Sequence, residues 1–294
     1  MLARRSSLSV PGSSEKMLAK APGLGADELV LDLEDAVAPA AKAEAREALA
    51  VFLSVRPEGP AMAVRVNALD SPWFGDDVTV LVQRAGAAID SLVLPKVEAA
   101  ADLRAVDELL DRLGEPAAGI RTQALIETAA GLLRAGEIAE ASSRLDALIL
   151  GYADLAASLG RPADPGPKGW LHAQETVLLA ARAAGLQAID GPYLPIRDED
   201  GLRQRADHAR ALGYDGKWAV HPDQLAIIND AFTPQPEELE HANAIVAALE
   251  EADASGAAEL DGEMIDEASR KLAVQVVARG QAAGLSGAGK AAAG

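Results

Sequence analysis

The sequence predicts an α/β fold: a (β/α)8 TIM barrel followed by a C-terminal helical extension. Three observations predict it. Short Leu-rich or β-branched runs alternate with Ala-rich stretches of helical length, the pattern of a parallel sheet. The alternation occurs eight times, the number that closes such a barrel. The runs also finish on polar, charged or turn-forming residues, as barrel strands do at the face that carries the chemistry. A doubly wound open sheet is the alternative, but no GxGxxG follows the first run to support it.

Strands are expected at 7–10 (SLSV), 28–33 (ELVLDL), 61–66 (AMAVRV), 91–94 (SLVL), 122–127 (TQALIE), 147–151 (ALILG), 187–190 (QAID) and 216–220 (GKWAV). Helices are expected at 14–22, 39–54, 75–85, 98–113, 129–140, 168–185, 198–212 and 222–231. Pro39 suits a helix start, and Gly86, Gly114 and Gly213 suit helix ends. The chain then continues past what a barrel needs. A helix is expected at 236–251, a turn in "SGAAELDG", a second helix at 263–279 and a frayed tail in "SGAGKAAAG". Residues 1–233 thus read as the barrel and 234–294 as a helical extension and tail. Between 236 and 267 there are 11 Asp or Glu and no Lys or Arg.

The 294 residues carry a formal charge of −18, and 49% are apolar, enough for a sizeable core. Absence of cysteine excludes disulfides and thiolate zinc sites and suits a cytoplasmic location. The histidines, at 172, 208, 221 and 241, form no HxH or HxxxH pair. A bound metal is therefore expected to be a hard ion on carboxylates, Mg2+ or Mn2+. No run of 18 apolar residues predicts a membrane span, and the start lacks the apolar run of a signal peptide. The acidic balance argues against nucleic acid. Local positive charge sits at the start, where Arg4, Arg5, Lys16 and Lys20 face Glu15 alone.

The strand ends supply the candidate site. In order they carry Pro11-Gly12-Ser13, Glu34-Asp35, Arg65 and Asn67, Pro95-Lys96, Glu127, the stretch Gly151-Tyr152-Ala153-Asp154 through which strand 6 runs, and His221-Pro222. A charge after an apolar run is costly without a partner. A divalent cation between Glu127 and Asp154, with Arg65 nearby, would balance it, and two carboxylates with water and substrate is a usual Mg2+ arrangement. Asp35 reads equally as the cap of the next helix or as a partner of Lys or Arg. Arg65 reads also as a partner of Glu34 or Asp35. His221, before a proline, reads first as a structural hydrogen-bonder, and Trp73, Trp170 and Trp218 as core or interface.

With these residues in view, the sequence resembles the HpcH/HpaI aldolase–citrate lyase family, in its citrate lyase β-subunit-like branch. The matching segments are "RRSSLSVPGSSEKMLAKA", "ADELVLDLEDAVAPAAKAEAR", "VRVN", "LPKVE", "ALIETAAGL", "LILGYADLAASLG", "LQAIDGPY", "GYDGKWAVHPDQLAIINDAFTP" and "LDGEMIDEA". They run in order from residue 4 to 268. The resemblance implies a Mg2+-dependent lyase that cleaves a 3-hydroxyacyl-CoA thioester such as citryl-, malyl- or citramalyl-CoA. The products would be acetyl-CoA and oxaloacetate, glyoxylate or pyruvate. It implies Glu127 and Asp154 as metal ligands, with Glu127 also at the substrate. It implies Arg65 on the keto acid and thioester, Lys16 and Lys20 on the CoA portion, and Val220 and His221 against substrate. Glu34 and Asp35 are expected to support the site from behind. Asp266 resembles the catalytic aspartate, which in relatives reaches a neighbouring subunit's site from a C-terminal lid, so a homotrimer is implied. Two other outcomes remain open: a β subunit acting on an acyl-carrier thioester with partner subunits, or a malyl-CoA thioesterase or malate-synthase-like enzyme. The chain departs from the family pattern at Ser9, where relatives often have a larger residue, and at Gln174-Glu175, where Arg-Ser is more usual.

Overall fold

In the computed structural model, residues 3–56, 58–252 and 257–285 are described. They form two compact units, one from Arg4 to Asn229 and one from Asp230 onward. The first is a closed barrel of eight parallel strands in chain order: β1 Ser6–Pro11, β2 Glu28–Asp32, β3 Ala61–Arg65, β4 Ser91–Leu94, β5 Arg121–Ile126, β6 Leu145–Leu150, β7 Gln187–Asp190 and β8 Gly216–Ala219. β8 returns to β1 with Ser7 opposite Trp218 and Leu8 opposite Ala219, which closes the ring. Every predicted strand is present.

The helices outside the strands are α1 Glu15–Lys20, α2 Lys42–Ser54, α3 Phe74–Ala85, α4 Ala100–Leu113, α5 Ala129–Leu133, α6 Ala135–Ala139, α7 Tyr152–Leu159, α8 Pro167–Ala183, α9 Glu199–Leu212 and α10 Leu225–Phe232. Short 3-10 turns extend several of them; Pro39 opens one before α2, while Gly114 and Gly213 end α4 and α9. The inside of the barrel is filled from alternate strand positions: Val30, Ala63, Val93, Leu125, Ala147, Ile149, Ile189 and Trp218 form one cluster. This is a packed interior, not a pore.

Three expectations are corrected. The stretch 129–140 is two helices, α5 and α6, interrupted at Arg134. Strand 6 stops at Leu150, and Asp154 lies in the first turn of α7, a helix absent from the sequence reading. It forms because "YADLAASL" buries Leu155 and Ala156 on one side. The expected helix at 263–279 begins later, as α12 Glu267–Ala282. Before it, β9 Ala257–Leu260 and β10 Glu263–Asp266 form an antiparallel hairpin. Its turn is Asp261-Gly262, with φ of 51° and 85°, the positive pair that an Asp-Gly hairpin turn requires. This hairpin, α11 Pro236–Glu251 and α12 make up the second unit, where Gly280 meets Leu239. Ser255 and Gly256 of the expected turn, and the expected tail at 286–294, lie outside the described residues. Among the described residues no helix is long and apolar enough to cross a membrane.

Candidate active site

β2 brings the densest charge to the C-terminal mouth. Its last residue, Asp32, is fully buried, and its carboxylate accepts the N–H of Glu34 at 2.8 Å and of Ala36 at 3.3 Å. The tight loop after the strand is therefore folded around Asp32. Arg65 ends β3 directly opposite. It forks onto the same carboxylate, Nε to Oδ1 at 2.9 Å and Nη2 to Oδ2 at 2.5 Å. Such a bidentate pair fixes the guanidinium plane. Nη1 lies 3.0 Å from Glu34 and 3.7 Å from Asp35, and the guanidinium stacks 5.7 Å above Trp218. Burial opposes the guanidinium charge, but the three carboxylates prevail and raise its pKa.

Two lysines join this group. The Lys42 ammonium, buried on α2, donates to the carbonyls of Leu33 and Glu34, each at 2.9 Å. Lys96, just past β4, donates from Nζ to Glu34 Oε1 at 2.5 Å. Its backbone N–H donates to Glu127 Oε1 at 2.9 Å. Glu34 is nevertheless raised in pKa, because burial outweighs Arg65 and Lys96.

Glu127 follows β5 and is 2% exposed. Burial, and then the charges of Glu34 and Asp154, push its pKa up to about 8. Two glycines make room for this arrangement. A Cβ on Gly151 would lie 2.6 Å from Glu127 Oε2, and one on Gly131 would lie 2.3 Å from the Val97 carbonyl. The glycines of "ETAAG" and "LILG" are thus a matter of close approach.

The mouth therefore gathers Glu34, Asp35, Arg65, Glu127 and Asp154, as the strand ends predict. Asp35 is exposed and pairs loosely with Arg65; it caps no helix. Asp32, Lys42 and Lys96 are partners the sequence reading did not assign. Val220 packs against the inner-barrel cluster. His221 Nδ1 accepts the Asp223 N–H at 3.2 Å and opens the next turn, the structural role expected first. Lys16 and Lys20 are exposed on α1. Asp266 belongs to the second unit, where it is exposed and caps α12 by accepting from Ala268 and Ser269. Ser9 is half-buried on β1.

A cavity of about 270 Å3 is lined by Tyr152 and Ala153 of the strand 6 end and by Asp190 and Lys217, but by none of Glu34, Asp35, Arg65, Glu127 and Asp154. Its polar lining is satisfied internally: Lys217 pairs with Asp190 at 2.5 Å, Tyr152 donates to Asp190, and Gln174 donates to Tyr152 at 2.8 Å. At the mouth, in contrast, charge is left over. There Asp32, Glu34, Asp35, Glu127 and Asp154 face Arg65, Lys42 and Lys96, a formal surplus of two negative charges when every carboxyl is ionised. Among the described residues no group of three or more His, Cys, Asp or Glu is arranged to hold a metal. The donors available are two carboxylates, which suit a hard cation that keeps water or substrate as its other ligands.

Known proteins match over nearly the whole chain. A (3S)-malyl-CoA thioesterase of Cereibacter sphaeroides is 40% identical over 287 residues, 97% of each chain. An L-malyl-CoA/beta-methylmalyl-CoA lyase of the same species is 38% identical, with 91% of each covered. The structure of CitE from Mycobacterium tuberculosis in complex with magnesium, acetoacetate and coenzyme A superposes with a TM-score of 0.75 at 33% identity, covering 94% of this chain and 97% of that one. The model of the HpcH/HpaI aldolase/citrate lyase family matches residues 5–222, which include every barrel strand, so the chain belongs to that family.

Proposed function

We propose that this member of a lyase family is a Mg2+-dependent carbon–carbon lyase acting on a 3-hydroxyacyl-CoA thioester of the malyl-CoA class. Its products are acetyl-CoA and an α-keto acid. The observation that carries the reading is Glu127, a buried carboxylate facing Asp154 and Glu34, with its pKa pushed up to about 8. A group so placed stays charged only with a cation beside it. Glu127 and Asp154 would hold Mg2+, whose all-oxygen preference fits them. When bound, the ion acts as a Lewis acid on the substrate's carboxylate and hydroxyl oxygens.

The protein groups do the rest. Arg65, locked by Asp32, presents a fixed cationic plane to the oxygen that gains negative charge as the carbon–carbon bond breaks. Because Asp32 and Glu34 already hold it, this positioning costs little at the moment of reaction. Lys16 and Lys20 meet the phosphates of the CoA portion. Val220 and His221 line the substrate. As the carbon–carbon bond breaks, the 3-hydroxyl proton passes to water and the bonding electrons form the acetyl-CoA enolate, whose carbon is protonated by Asp266 supplied from a neighbouring copy within a homotrimer.

A second reading has its own support: the thioesterase relative is 40% identical. In that case water attacks the thioester and the carbon skeleton stays whole. The coenzyme A in the CitE complex supports a free CoA thioester over a carrier-bound one.

The test is a panel of malyl-, methylmalyl-, citramalyl- and citryl-CoA with Mg2+ or EDTA, following keto acid and free thiol separately. Mg2+-dependent keto acid without thiol is the expected result. Free thiol with intact hydroxy acid establishes the thioesterase instead. Keto acid release unaffected by EDTA overturns the Mg2+-dependent lyase.

A further inference from the structure

Lys96 carries a further inference, which rests on the site reading proposed above. Its φ is 54°, in the left-handed region. It follows Pro95 in a turn whose third position normally takes glycine when φ is positive. Among the described residues only Asp261 shares this feature outside glycine, and there the Asp-Gly hairpin turn accounts for it. Lys96 has no such local reason. A strained residue persists when its surroundings over-determine it, and such residues cluster at functional sites. Here the surroundings are two carboxylates. The backbone N–H reaches Glu127 Oε1 at 2.9 Å, and Nζ reaches Glu34 Oε1 at 2.5 Å. The other Glu34 oxygen is 3.0 Å from Arg65.

We infer that Lys96 is a positioning residue: its ion pair with Glu34 holds the left-handed backbone, and that backbone aims the N–H at Glu127, fixing the carboxylate for a divalent cation. One residue thereby ties the Glu34–Arg65 half of the mouth to the Glu127–Asp154 half. The side chain acts through the conformation it enforces, not through its charge alone.

Lys96→Ala and Lys96→Gly separate these roles. Both remove the ammonium. Alanine keeps the Cβ that disfavours positive φ, so the turn relaxes and the N–H leaves Glu127. Glycine adopts positive φ without steric cost and keeps the N–H in place. Mn2+ is the probe, with free ion counted by electron paramagnetic resonance and the melting temperature of each metal-free variant followed in parallel. The expected result is Mn2+ affinity weakened about tenfold in Lys96→Ala and less than about threefold in Lys96→Gly. Equal losses in the two variants, or none in Lys96→Ala, overturn the inference while wild-type Mn2+ binding leaves the site reading standing. A wild type that binds no Mn2+ overturns the site reading and this inference together. If Lys96→Ala does not fold, Lys96→Met replaces it, with the same expectation.

Discussion

The two ends of the barrel each hold a buried polar network, and they are built to opposite specifications. At the N-terminal end, Arg4 is 2% exposed and reaches Glu28 at 2.8 Å, Gln187 at 2.5 Å and Asp146 at 2.9 Å. Glu28 also accepts from Ser7 and Gln123. Arg4 and Arg121 face Glu28 and Asp146, so formal charge is balanced. At the C-terminal end, Arg65, Lys42 and Lys96 leave two of five carboxylates uncompensated. The balanced network closes the barrel floor, and the unbalanced one is where the proposed function puts a cation and an anionic substrate. This matches the division of such barrels into a stability face and an activity face.

The sharpest way to break the comparison is to neutralise one carboxylate at each end. Glu127→Gln should lower turnover by three to four orders of magnitude, on the order of what losing a preorganised electrostatic group costs. Its metal-free melting temperature should hold, because without a cation the Glu127 carboxyl, with its pKa pushed up to about 8, is already largely uncharged at neutral pH. A fall of several degrees in metal-free Glu127→Gln would mean that the mouth is a stability element like the floor.

Glu28→Gln should do the reverse. It strips the carboxylate from a guanidinium that cannot shed its proton, and breaking such a buried pair costs about 3 kcal/mol. The melting temperature should drop by roughly 6–12 °C, measured by calorimetry. Turnover of the folded protein at 25 °C should stay within about twofold. A large loss of turnover with an unchanged melting temperature would erase the distinction between the ends.

Metal provides a third contrast. Mg2+ at a hundred times its dissociation constant should stabilise the wild type by about 2.7 kcal/mol. Glu127→Gln should show almost none of this, and Glu28→Gln all of it. Stabilisation that survives in Glu127→Gln would place the cation elsewhere.

The sequence made the two ends legible to different degrees. Strand positions came through within one or two residues because parallel strands buried on both faces read as unbroken apolar runs. Glu127 and Arg65 stood out because each ends such a run with a charge, and Asp154 because it closely follows one. Asp32 did not, since in "LVLDLED" it reads as one more strand residue ahead of the more conspicuous Glu34 and Asp35. Lys42 was hidden in an Ala-rich helix, and its role depends on α2 folding back over the 33–36 loop. Lys96 was visible at a strand end, but its positive φ and its two partners are properties of the folded turn. Helix α7 was missed because Gly151 alone separates it from β6, leaving no loop to announce it. The hairpin ahead of α12 was signalled by Asp261-Gly262, and its strands were passed over because the hydrophobic alternation in "AAEL" and "EMID" is short.

The smallest expected effect lies beyond the mouth, on α1. Lys16 and Lys20 sit one helical turn apart and are exposed, with Met17 also 54% exposed beside them. In a chain of net charge −18, two cations spaced to face one way would, under the proposed function, meet phosphate oxygens. Exposed charges contribute modestly and are screened by salt. The double change Lys16→Ala with Lys20→Ala should therefore raise KM for the CoA thioester about tenfold, with kcat and melting temperature nearly unchanged. The KM difference from wild type should narrow as ionic strength rises. This profile belongs to binding energy spent far from the reacting carbons, whereas Glu127→Gln should lose kcat at every salt concentration. If the double variant instead loses kcat and keeps its KM, α1 takes part in the chemistry and the CoA portion must be held elsewhere.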